Sequence, residues 1–251
     1  MQRDVRPVTV VTGGSRGIGA ATVMTLAESG HDVAFSYRSD RDAAARVRAR
    51  ALKAGGRCVA LQVDVTRQED VEGMFGEAAQ LGMVTGLVSN AGLTGHIGDL
   101  ADTPLELVRR VIDVNLVGVV LCAREAIRAM SVRRGGRGGV IVNVSSAAAT
   151  LGSPHEYVHY AAAKAGVDAL TVGLAKELAD DGIRVNAVAP GIVNTEIHAA
   201  AGEPGRADRV VSRIPLGRLA EPEEIAPAIA WLLGPAAGYT TGAVLRVAGG
   251  V

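Results

Sequence analysis

Short apolar runs with β character alternate with helical segments along the whole 251-residue chain. Each run is apolar at both alternating positions, which is typical of strands covered on both faces. Strands that alternate with helices favour a parallel sheet with right-handed crossovers. We therefore predict an α/β fold: one doubly wound parallel sheet of about seven strands with helices on both faces. The predicted strands are Val8–Val11, Val33–Tyr37, Cys58–Val63, Gly86–Ser89, Val140–Val144, Ile183–Ala187 and Val244–Val247.

The composition favours one globular domain and excludes several classes of partner. Hydrophobic residues make up 48% of the chain and charged residues 21%, a balance typical of globular proteins. No linker rich in proline, glycine or serine divides the sequence, so we predict a single domain over residues 1–251. The formal net charge of +0 and the aromatic content of only 3% give no basis for binding nucleic acid or an anionic membrane.

The cysteines indicate that the chain has no metal site, and the apolar runs indicate that it has no membrane-spanning segment. Cys58 and Cys122 lie in apolar segments without CxxC spacing, so we predict buried thiols and no metal site. No apolar run is long enough to cross a bilayer, and no signal-peptide core follows Met1. We therefore expect a cytoplasmic protein without a membrane-spanning segment.

Capping signals mark the starts of several predicted helices. Thr66 with Glu69, and Thr103 with Glu106, have the spacing of an N-terminal capping box. Glu221-Pro222 is expected to open the last long helix in the same way.

A glycine-rich turn, Thr12–Gly19, directly follows the first predicted strand and opens a helix. Glycines let the backbone approach a ligand without a Cβ clash, and the N–H groups at a helix N-terminus favour a pyrophosphate. The spacing Gly13-x-x-x-Gly17-x-Gly19 differs from the commoner Gly-x-Gly-x-x-Gly. The turn predicts a nucleotide site, with a plain tight connection between strand and helix as the alternative.

Tyr160 is followed four residues later by Lys164, so both side chains lie on one face of a predicted helix. A nearby cation favours the ionised phenol, which makes the phenol a usable proton donor and acceptor. The chain has 26 lysines and arginines in total, yet lysine occurs only at Lys53, Lys164 and Lys176. A compact ammonium suits this task better than a planar guanidinium. With the nucleotide site, the pair indicates hydride transfer to or from a carbonyl; an ordinary surface pair is the alternative.

The order and spacing of these motifs resemble the short-chain dehydrogenase/reductase family along essentially the whole chain. The resemblance rests on Thr12–Gly19, Asn90-Ala91-Gly92, Asn115, Ser146, Tyr160-x-x-x-Lys164 and Pro190-Gly191. It implies a Rossmann-type sheet, nicotinamide-dependent hydride transfer and a homotetramer. The most similar branches are the 3-oxoacyl carrier-protein reductases and the glucose-dehydrogenase-like enzymes. Ser89 is a departure, because the family commonly has Asn before Asn90.

The resemblance also implies which residues bind the cofactor. Asp64 is expected to meet the adenine, and Val65 to lie along it. The backbone of Val193 is expected to bind the carboxamide, with Thr195 as a further contact. The full implied set is Gly13, Ser15, Arg16, Gly17, Ile18, Gly19, Arg38, Asp64, Val65, Asn90, Ala91, Gly92, Tyr160, Lys164, Pro190, Gly191, Val193 and Thr195.

The end of the second strand predicts which nicotinamide is bound. An acid there would bond the ribose 2′-OH and repel a 2′-phosphate, but Phe35–Ser39 has no acid at the discriminating position. Arg16 and Arg38 can pair with a phosphate. We predict a preference for NADP(H) over NAD(H), with two solvated arginines as the alternative.

The catalytic roles follow from the resemblance. Tyr160 is expected to be the general acid in reduction and the general base in oxidation. Lys164 is expected to favour the phenolate and to hold the nicotinamide ribose. Ser146 is expected to bond the substrate oxygen. Asn115 is expected to complete a proton relay through water and Lys164, with a buried amide bonded to helix backbone as the alternative.

Two neighbouring residues compete with these assignments. Ser145 adjoins Ser146 at the end of a predicted strand, and counting back from Gly152 favours Ser146. Tyr157 has Ala161 rather than lysine four residues later, so it lacks a cationic partner.

Residues 194–215 are irregular and rich in alanine, glycine and arginine, and we predict a substrate lid there. The histidines are expected to be exposed or hydrogen-bonded and to have no catalytic role. The histidines considered are His96, His155, His159 and His198.

We therefore predict an NADP-dependent oxidoreductase that transfers a hydride between the nicotinamide and a small carbonyl compound or secondary alcohol. One alternative is a 3-oxoacyl carrier-protein reductase, since Arg133, Arg134 and Arg137 can offer basic residues to an acidic carrier protein. Asp180-Asp181 would repel such a carrier. The alternative from another class is a non-catalytic NADP-binding regulator, which the complete set of catalytic residues disfavours.

Overall fold

The computed structural model describes residues 6–197, 205 and 209–251, and its strands form one seven-stranded sheet. The strand order is β3-β2-β1-β4-β5-β6-β7, and every neighbouring pair runs parallel. The predicted fold class is confirmed. The strands are β1 Val8–Val11, β2 Asp32–Tyr37, β3 Cys58–Gln62, β4 Val84–Ser89, β5 Gly139–Val144, β6 Ile183–Pro190 and β7 Val244–Val247.

The predicted strands are all present, and β6 differs most from its predicted bounds. The apolar run predicted an end at Ala187, whereas β6 continues to Pro190. The reason is tertiary, because β7 pairs with the segment from Ala187 to Pro190. The extension carries Pro190 to the carboxyl edge of the sheet.

Helices cover both faces of the sheet. The α-helices in the described part of the chain are α1 Gly17–Glu28, α2 Arg41–Lys53, α3 Gln68–Leu81, α4 Leu105–Ile112, α5 Gly118–Met130, α6 Ala148–Leu151, α7 Val158–Glu177 and α8 Pro222–Leu233. One apolar cluster joins α1, α2 and α8 to the sheet, and a second joins α3, α5 and α7 to the other face. Alternate strand residues point to opposite faces, so Val11 belongs to the first cluster and Val10 to the second.

The direction of sheet growth reverses between β3 and β4. The strands β1, β2 and β3 extend to one side, and β4 then pairs with the free side of β1. In a doubly wound sheet this switch opens a crevice at the carboxyl ends of the strands, where ligands bind.

A π-helical segment, Asp113–Val117, connects α4 to α5. Hydrogen bonds in a π-helix span five residues instead of four, and such segments are frequent at functional sites. Asn115 lies in its middle and is fully buried. Short 3₁₀ segments lie at Leu100–Asp102, Val132–Arg134, Ala179–Asp181, Val211–Arg213 and Pro235–Ala237.

Two of the predicted capping boxes are wrong. The Thr66 hydroxyl donates to Asp64 Oδ1 at 2.7 Å, and α3 begins only after Arg67. The Thr103 hydroxyl donates to the Asp99 carbonyl at 2.9 Å. In both places the threonine hydroxyl donates to an acceptor earlier in the chain, so the threonine does not cap the helix that follows.

The capping signal at the start of α8 is confirmed. The Glu221 N–H donates to the Glu224 carboxylate at 2.9 Å, and Pro222 stands at the first helical position. Arg218 donates to both oxygens of the same carboxylate at 2.7 Å. Arg218 therefore links the start of α8 to the segment that directly precedes the helix.

The arginine-rich stretch 133–139 lies at the amino edge of the sheet, away from the crevice. The Arg133 Nε donates to Asp181 Oδ1 at 2.9 Å, and the Ser131 hydroxyl also bonds that carboxylate. These bonds lower the pKa of Asp181 to about 2. From this edge β5 runs roughly 20 Å before it reaches the crevice. The expectation that this stretch offers arginines at the site mouth is therefore wrong, and the repulsion expected from Asp180 loses its basis too.

Both cysteines are buried, as predicted. Cys58 is 6% exposed and Cys122 is 1% exposed. Burial raises the pKa of Cys58 to about 11 and that of Cys122 to about 12. Since thiol reactivity requires the thiolate, neither side chain is expected to act as a nucleophile.

Candidate active site

A cleft with a volume of about 460 Å³ follows the carboxyl edge of the sheet, within the range typical of small-molecule sites. It brings together residues from the first strand to the segment after β6. Only Gly19 and Asn115 among the predicted site residues do not line it. The predicted residues that line it are Gly13, Ser15, Arg16, Gly17, Ile18, Arg38, Asp64, Val65, Asn90, Ala91, Gly92, Ser146, Tyr160, Lys164, Pro190, Gly191, Val193 and Thr195.

The glycine-rich turn is folded tightly enough to require its glycines. Gly13 and Gly17 have φ angles of 66° and 52°, a region that favours glycine. A Cβ at Gly19 would lie 2.5 Å from Asn90 Nδ2 and would also overlap the Gly13 carbonyl oxygen. Gly19 therefore acts inside the turn, by letting the start of α1 pack against Gly13.

The start of α1 fits an anionic ligand such as a pyrophosphate. The helix begins at Gly17, and within the described chain no side chain caps it and no acid lies in its first turn. Gly17 and Ile18 line the cleft. The N–H groups and the positive end of the helix dipole are therefore left for a ligand.

Asn90 holds the turn against β4. Its side-chain Nδ2 donates to the Thr12 carbonyl at 2.9 Å and to the Gly13 carbonyl at 3.1 Å. The Thr12 hydroxyl accepts hydrogen bonds from the backbone N–H groups of Asn90 and Ala91, each at 2.9 Å. These bonds fix the shape of the crevice between β1 and β4.

Asp64 and Arg38 form an ion pair on one wall of the cleft. The Arg38 guanidinium lies 3.0 Å from Asp64 Oδ2. Burial alone would raise the pKa of Asp64, but hydrogen bonds from Thr66 and the charges of Arg38 and Arg110 lower it on balance. Asp64 is therefore an anion at neutral pH, and Arg38 is its partner in this structure.

Tyr160 and Lys164 lie side by side on α7, one turn apart. The Lys164 Nζ is 5.7 Å from the centre of the Tyr160 ring and donates to the Val144 carbonyl at 2.8 Å. Lys164 is only 3% exposed. Burial lowers the pKa of Lys164 to about 8, and the Asp168 charge opposes that shift. The ammonium is thus held next to a phenol, and both residues line the cleft.

The two adjacent serines point to different places. Ser146 is half-buried, lines the cleft and accepts a hydrogen bond from the Ala148 N–H at 3.2 Å. Ser145 also lines the cleft, but it is only 3% exposed, and its hydroxyl donates to the Lys164 carbonyl at 3.4 Å. Ser146 is therefore the more accessible of the two serines.

The Asn115 side chain binds backbone groups. Its Nδ2 donates to the Leu93 carbonyl at 2.7 Å and to the Val111 carbonyl at 2.9 Å, and its Oδ1 accepts from the Leu93 N–H at 3.3 Å. The side chain therefore fastens the loop after β4 to the π-helical segment. Its role in a proton relay stays a prediction.

The histidines fall into two environments. His155 is exposed and lies 2.7 Å from Asp99. His159 is 4% exposed, so the expectation of an exposed histidine does not hold for it. Burial lowers its pKa, and a hydrogen bond with the Thr94 backbone opposes that shift. His198 lies outside the described residues.

The predicted lid, 194–215, lies partly outside the described residues, which exclude 198–204 and 206–208. Its N-terminal flank is anchored by Asn194, whose Nδ2 donates to Glu221 at 3.2 Å. At its other flank Arg209 donates to Glu156 at 3.0 Å. Both hydrogen bonds lie next to the cleft. Glu196, two residues after Asn194, and Tyr157, which follows Glu156, are among its lining residues.

Known proteins resemble this chain along nearly its whole length. A sequence profile described as Enoyl-(Acyl carrier protein) reductase matches residues 13–251. The oxidoreductase YgfF of Escherichia coli K12 is 47% identical over 244 residues, which are 97% of this chain and 99% of YgfF. The 3beta-hydroxysteroid dehydrogenase 1 of Eggerthella lenta is 43% identical and covers 100% of this chain and 96% of its own.

A solved structure agrees in fold as well as in sequence. A blue fluorescent protein from a metagenomic library, crystallised with NADPH, is 34% identical, covers 99% of both chains and superimposes with a TM-score of 0.89. The chain belongs to the short-chain dehydrogenase/reductase family. As a short-chain dehydrogenase/reductase, it is a nicotinamide-dependent oxidoreductase that acts on CH–OH and C=O groups.

Arg110 is a residue of this short-chain dehydrogenase/reductase that the sequence analysis missed. It lies on α4, lines the cleft and helps to lower the pKa of Asp64. Nothing in the local sequence marks it, because it is one of several arginines and α4 reaches the cleft only through tertiary packing.

Within the described residues, no group of three or more His, Cys, Asp or Glu side chains is placed to hold a metal ion. Over the same residues, no helix combines the length and the apolar character needed to span a bilayer.

Replacing Gly19 with alanine tests whether the turn of this short-chain dehydrogenase/reductase needs its tight packing. We expect Gly19→Ala to lower the free energy of unfolding by about 1–3 kcal/mol, because the new Cβ overlaps packed atoms, and to weaken NADPH binding measured by fluorescence titration. Gly73 on α3 has open space around it, so Gly73→Ala is the control and should leave binding unchanged. Equal NADPH affinity of Gly19→Ala and the parent protein would contradict this account of the turn.

Proposed function

We propose that this enzyme is an NADP(H)-dependent oxidoreductase that interconverts a ketone and a secondary alcohol, with Tyr160 as the proton donor and acceptor. The observation that carries the proposal is the position of Lys164, a buried ammonium 5.7 Å from the ring of a tyrosine that lines the cleft. A buried cation lowers the energy of a neighbouring anion, so it favours the phenolate. This arrangement allows the tyrosine to act both as a proton donor and as a proton acceptor.

The chain's own residues divide the chemistry between them. Tyr160 donates a proton to the substrate oxygen in reduction and takes it back in oxidation. The Ser146 hydroxyl bonds the same oxygen and stabilises the negative charge that develops there. Lys164 supplies the positive charge, and Asn115 holds the neighbouring loop and extends the proton path through water. When bound, the nicotinamide supplies or accepts the hydride.

The cofactor is proposed to lie along the crevice, with its pyrophosphate at the start of α1. The Arg38 side of the cleft takes the adenosine half, and Tyr160 and Lys164 take the nicotinamide half. The residues proposed to hold it are the predicted set given above, with Gly19 acting through the shape of the turn and Arg110 added on the adenosine side.

The preference for NADP(H) is supported by the charges around the end of β2. Arg16 and Arg38 both line the cleft there. Asp40 lines it as well, but its carboxylate accepts from the Ala43 N–H at 2.8 Å as the N-cap of α2. An acid engaged in this way is less available to a ribose hydroxyl. A 2′-phosphate would draw Arg38 from its partner, Asp64, and bond its planar guanidinium.

Removing the Arg38 guanidinium tests this preference. We expect Arg38→Ala to lower kcat/KM for NADPH by about 10- to 100-fold, the value of one or two hydrogen bonds to a charged group, with little change for NADH. Arg50→Ala, at the far end of α2, is the control. If the parent enzyme has a higher kcat/KM with NADH than with NADPH, the proposed preference is wrong.

The substrate is proposed to be a small compound in which the reacting carbon belongs to, or adjoins, an apolar ring. The cleft beside Tyr160 is lined by Leu93 and Tyr157, which belong to one apolar cluster with it. One 43% identical relative is named for a steroid alcohol. The carrier-protein alternative remains, since the matching profile is named for carrier-protein substrates, but the arginines that favoured it lie at the other edge of the sheet.

A screen of NADPH oxidation tests the function. The panel contains cyclic ketones, steroids, sugars, short ketones, a 3-oxoacyl thioester and a 2-enoyl thioester. We expect oxidation with at least one carbonyl compound, and Tyr160→Phe to reduce that rate by about 10²- to 10⁴-fold without loss of NADPH binding. Tyr157→Phe removes a hydroxyl from the same cleft and should cost far less. A near-normal rate in Tyr160→Phe would remove Tyr160 from the mechanism.

The same screen separates the enzyme from a non-catalytic NADP-binding regulator. Tight NADPH binding with no oxidation by any member of the panel would favour the regulator. The buried Lys164 disfavours the regulator, because a protein that only senses bound cofactor does not need a cation beside a phenol.

A homotetramer is proposed for the assembly. The small residues of α7 that suggested close helix packing are largely internal, since Ala163 is fully buried and Gly166 packs against Leu116. Support comes instead from two groups of exposed apolar side chains, because two different self-complementary surfaces are what a dihedral tetramer requires. The first group is Leu105, Val117 and Val172, and the second is Trp231, Tyr239 and Val244.

Light scattering coupled to size-exclusion chromatography measures the assembly. We expect a mass four times the 25.7 kDa of the chain. Replacing Val172 with glutamate should reduce it to half by breaking one of the two surfaces. A monomeric parent protein would contradict the proposal.

A further inference from the structure

Two polar side chains lie behind Lys164, and the proposed mechanism does not use them. Asp168 stands four residues after Lys164 on α7, one helical turn further from Tyr160. Ser145 follows the end of β5, and its hydroxyl donates to the Lys164 carbonyl at 3.4 Å. Ser145, Lys164 and Asp168 therefore form one polar cluster at the cleft, which Ser145 and Lys164 line.

Lys164 needs a stabilising anion because of its burial. It is 3% exposed, and the Val144 carbonyl accepts one of the three hydrogen bonds that an ammonium can donate. Burial lowers the pKa of Lys164 to about 8, and Asp168 is the charge that opposes this shift. A neutral amine would not favour a phenolate at Tyr160, so the proposed chemistry requires the charged form.

Asp168 is placed as that anion. Its Oδ1 is buried and accepts no hydrogen bond from any residue that the structure describes. Burial raises the pKa of Asp168, whereas the Ser145 hydroxyl and the charges of Lys164 and Arg246 lower it. A buried carboxylate oxygen without a hydrogen-bond donor is costly, which calls for a compensating interaction with a nearby cation.

The groups that face the cluster come from three elements. Tyr160 and Lys164 face it from α7, Ser145 from the end of β5, and Arg246 from β7. The Arg246 guanidinium is also bonded to Thr150 and to the carbonyl oxygen of Val251. Arg246 is therefore a second cation that acts on Asp168, and its charge is shared with these other partners.

We propose that Asp168, with the Ser145 hydroxyl beside it, is a positioning residue that keeps Lys164 protonated at the pH at which the enzyme works. This inference rests on the proposed function, since it assigns Asp168 a role in the same reaction. Asp168 does not touch the substrate or the nicotinamide; it acts through Lys164.

The direction of the effect follows from the charges. Replacing Asp168 with asparagine removes a negative charge, so the ammonium of Lys164 becomes less stable and loses its proton at a lower pH. In reduction, the active form carries both the phenol and the ammonium. The alkaline limb of kcat/KM for reduction should therefore move to lower pH, because the coupled Tyr160–Lys164 pair loses its first proton earlier.

The titration of Lys164 can be measured without turnover, because the chain has only three lysines. In protein labelled with [ε-¹³C]lysine, Lys53 and Lys176 are exposed and are assigned through Lys53→Arg and Lys176→Arg. We expect the midpoint of Lys164 to fall by about one pH unit in Asp168→Asn, and by less in Ser145→Ala. The midpoints of the two exposed lysines serve as internal controls and should not move.

The conservative variants keep the test decisive if Asp168→Asn folds poorly. Asp168→Glu retains the charge and should restore most of the Lys164 midpoint, and Ser145→Thr should restore the hydroxyl. Identical Lys164 midpoints in the parent protein, Asp168→Asn and Ser145→Ala would overturn the proposal, as would a shift to higher pH.

The kinetic measurement then separates this proposal from the proposed function. We expect the alkaline limb of the pH profile to shift with the Lys164 midpoint in each variant. If the parent protein reduces no carbonyl compound, the proposed function fails, yet the NMR titration still shows whether Asp168 sets the charge of Lys164. If the enzyme is active and the variants keep the parent's pH profile, the inference about Asp168 is wrong while the function stands.

Discussion

All seven strands point the same way, and the candidate site depends on that constraint. In a parallel sheet every strand delivers its last residues to one edge, so segments far apart in sequence become neighbours there. The glycine-rich turn leaves β1, Asn90 follows β4, Ser146 follows β5 and Pro190 ends β6. Helix α7 contributes to the cleft from its own body and brings Tyr160 and Lys164, a pair with helical spacing.

The edge is held in shape by polar side chains that bind backbone rather than ligand. Asn90 ties the turn to β4, and Asn115 ties the loop after β4 to the π-helical segment. The Asn115 amide is fully buried, and both its nitrogen and its oxygen have hydrogen-bond partners. Lys164 differs from Asn115, because burial disfavours its charged form and lowers its pKa. A rigid, well-bonded frame is what allows one such unfavourable group to persist beside the cleft.

The sequence predicted those features of the fold and the site that depend on local sequence patterns. Apolar runs located the strands, and the spacing of Tyr160 and Lys164 and the glycines of the turn marked the two halves of the cleft. It failed where a second local hydrogen bond competes with the predicted one: the hydroxyls of Thr66 and Thr103 bond acceptors that lie two and four residues earlier in the chain. Arg110 cannot be placed from the sequence, because the docking of α4 determines which of its faces meets the site. The sequence does place Asp168, since it continues the Tyr160–Lys164 face of α7 by one turn. The position of the stretch 133–139 also follows from the sequence, because a segment that precedes a parallel strand lies at its amino edge.

The π-helical segment between α4 and α5 makes this part of the chain sensitive to insertion or deletion. Five residues take a wider turn there, and Asn115 reaches Leu93 and Val111 from that wider turn. A π-helical turn holds about one residue more than an α-helical turn, so removing one residue from 113–117 would let the segment close into continuous α-helix and would take Asn115 out of the position from which it reaches Leu93 and Val111. Related chains should therefore tolerate substitutions in this segment more readily than a change in its length.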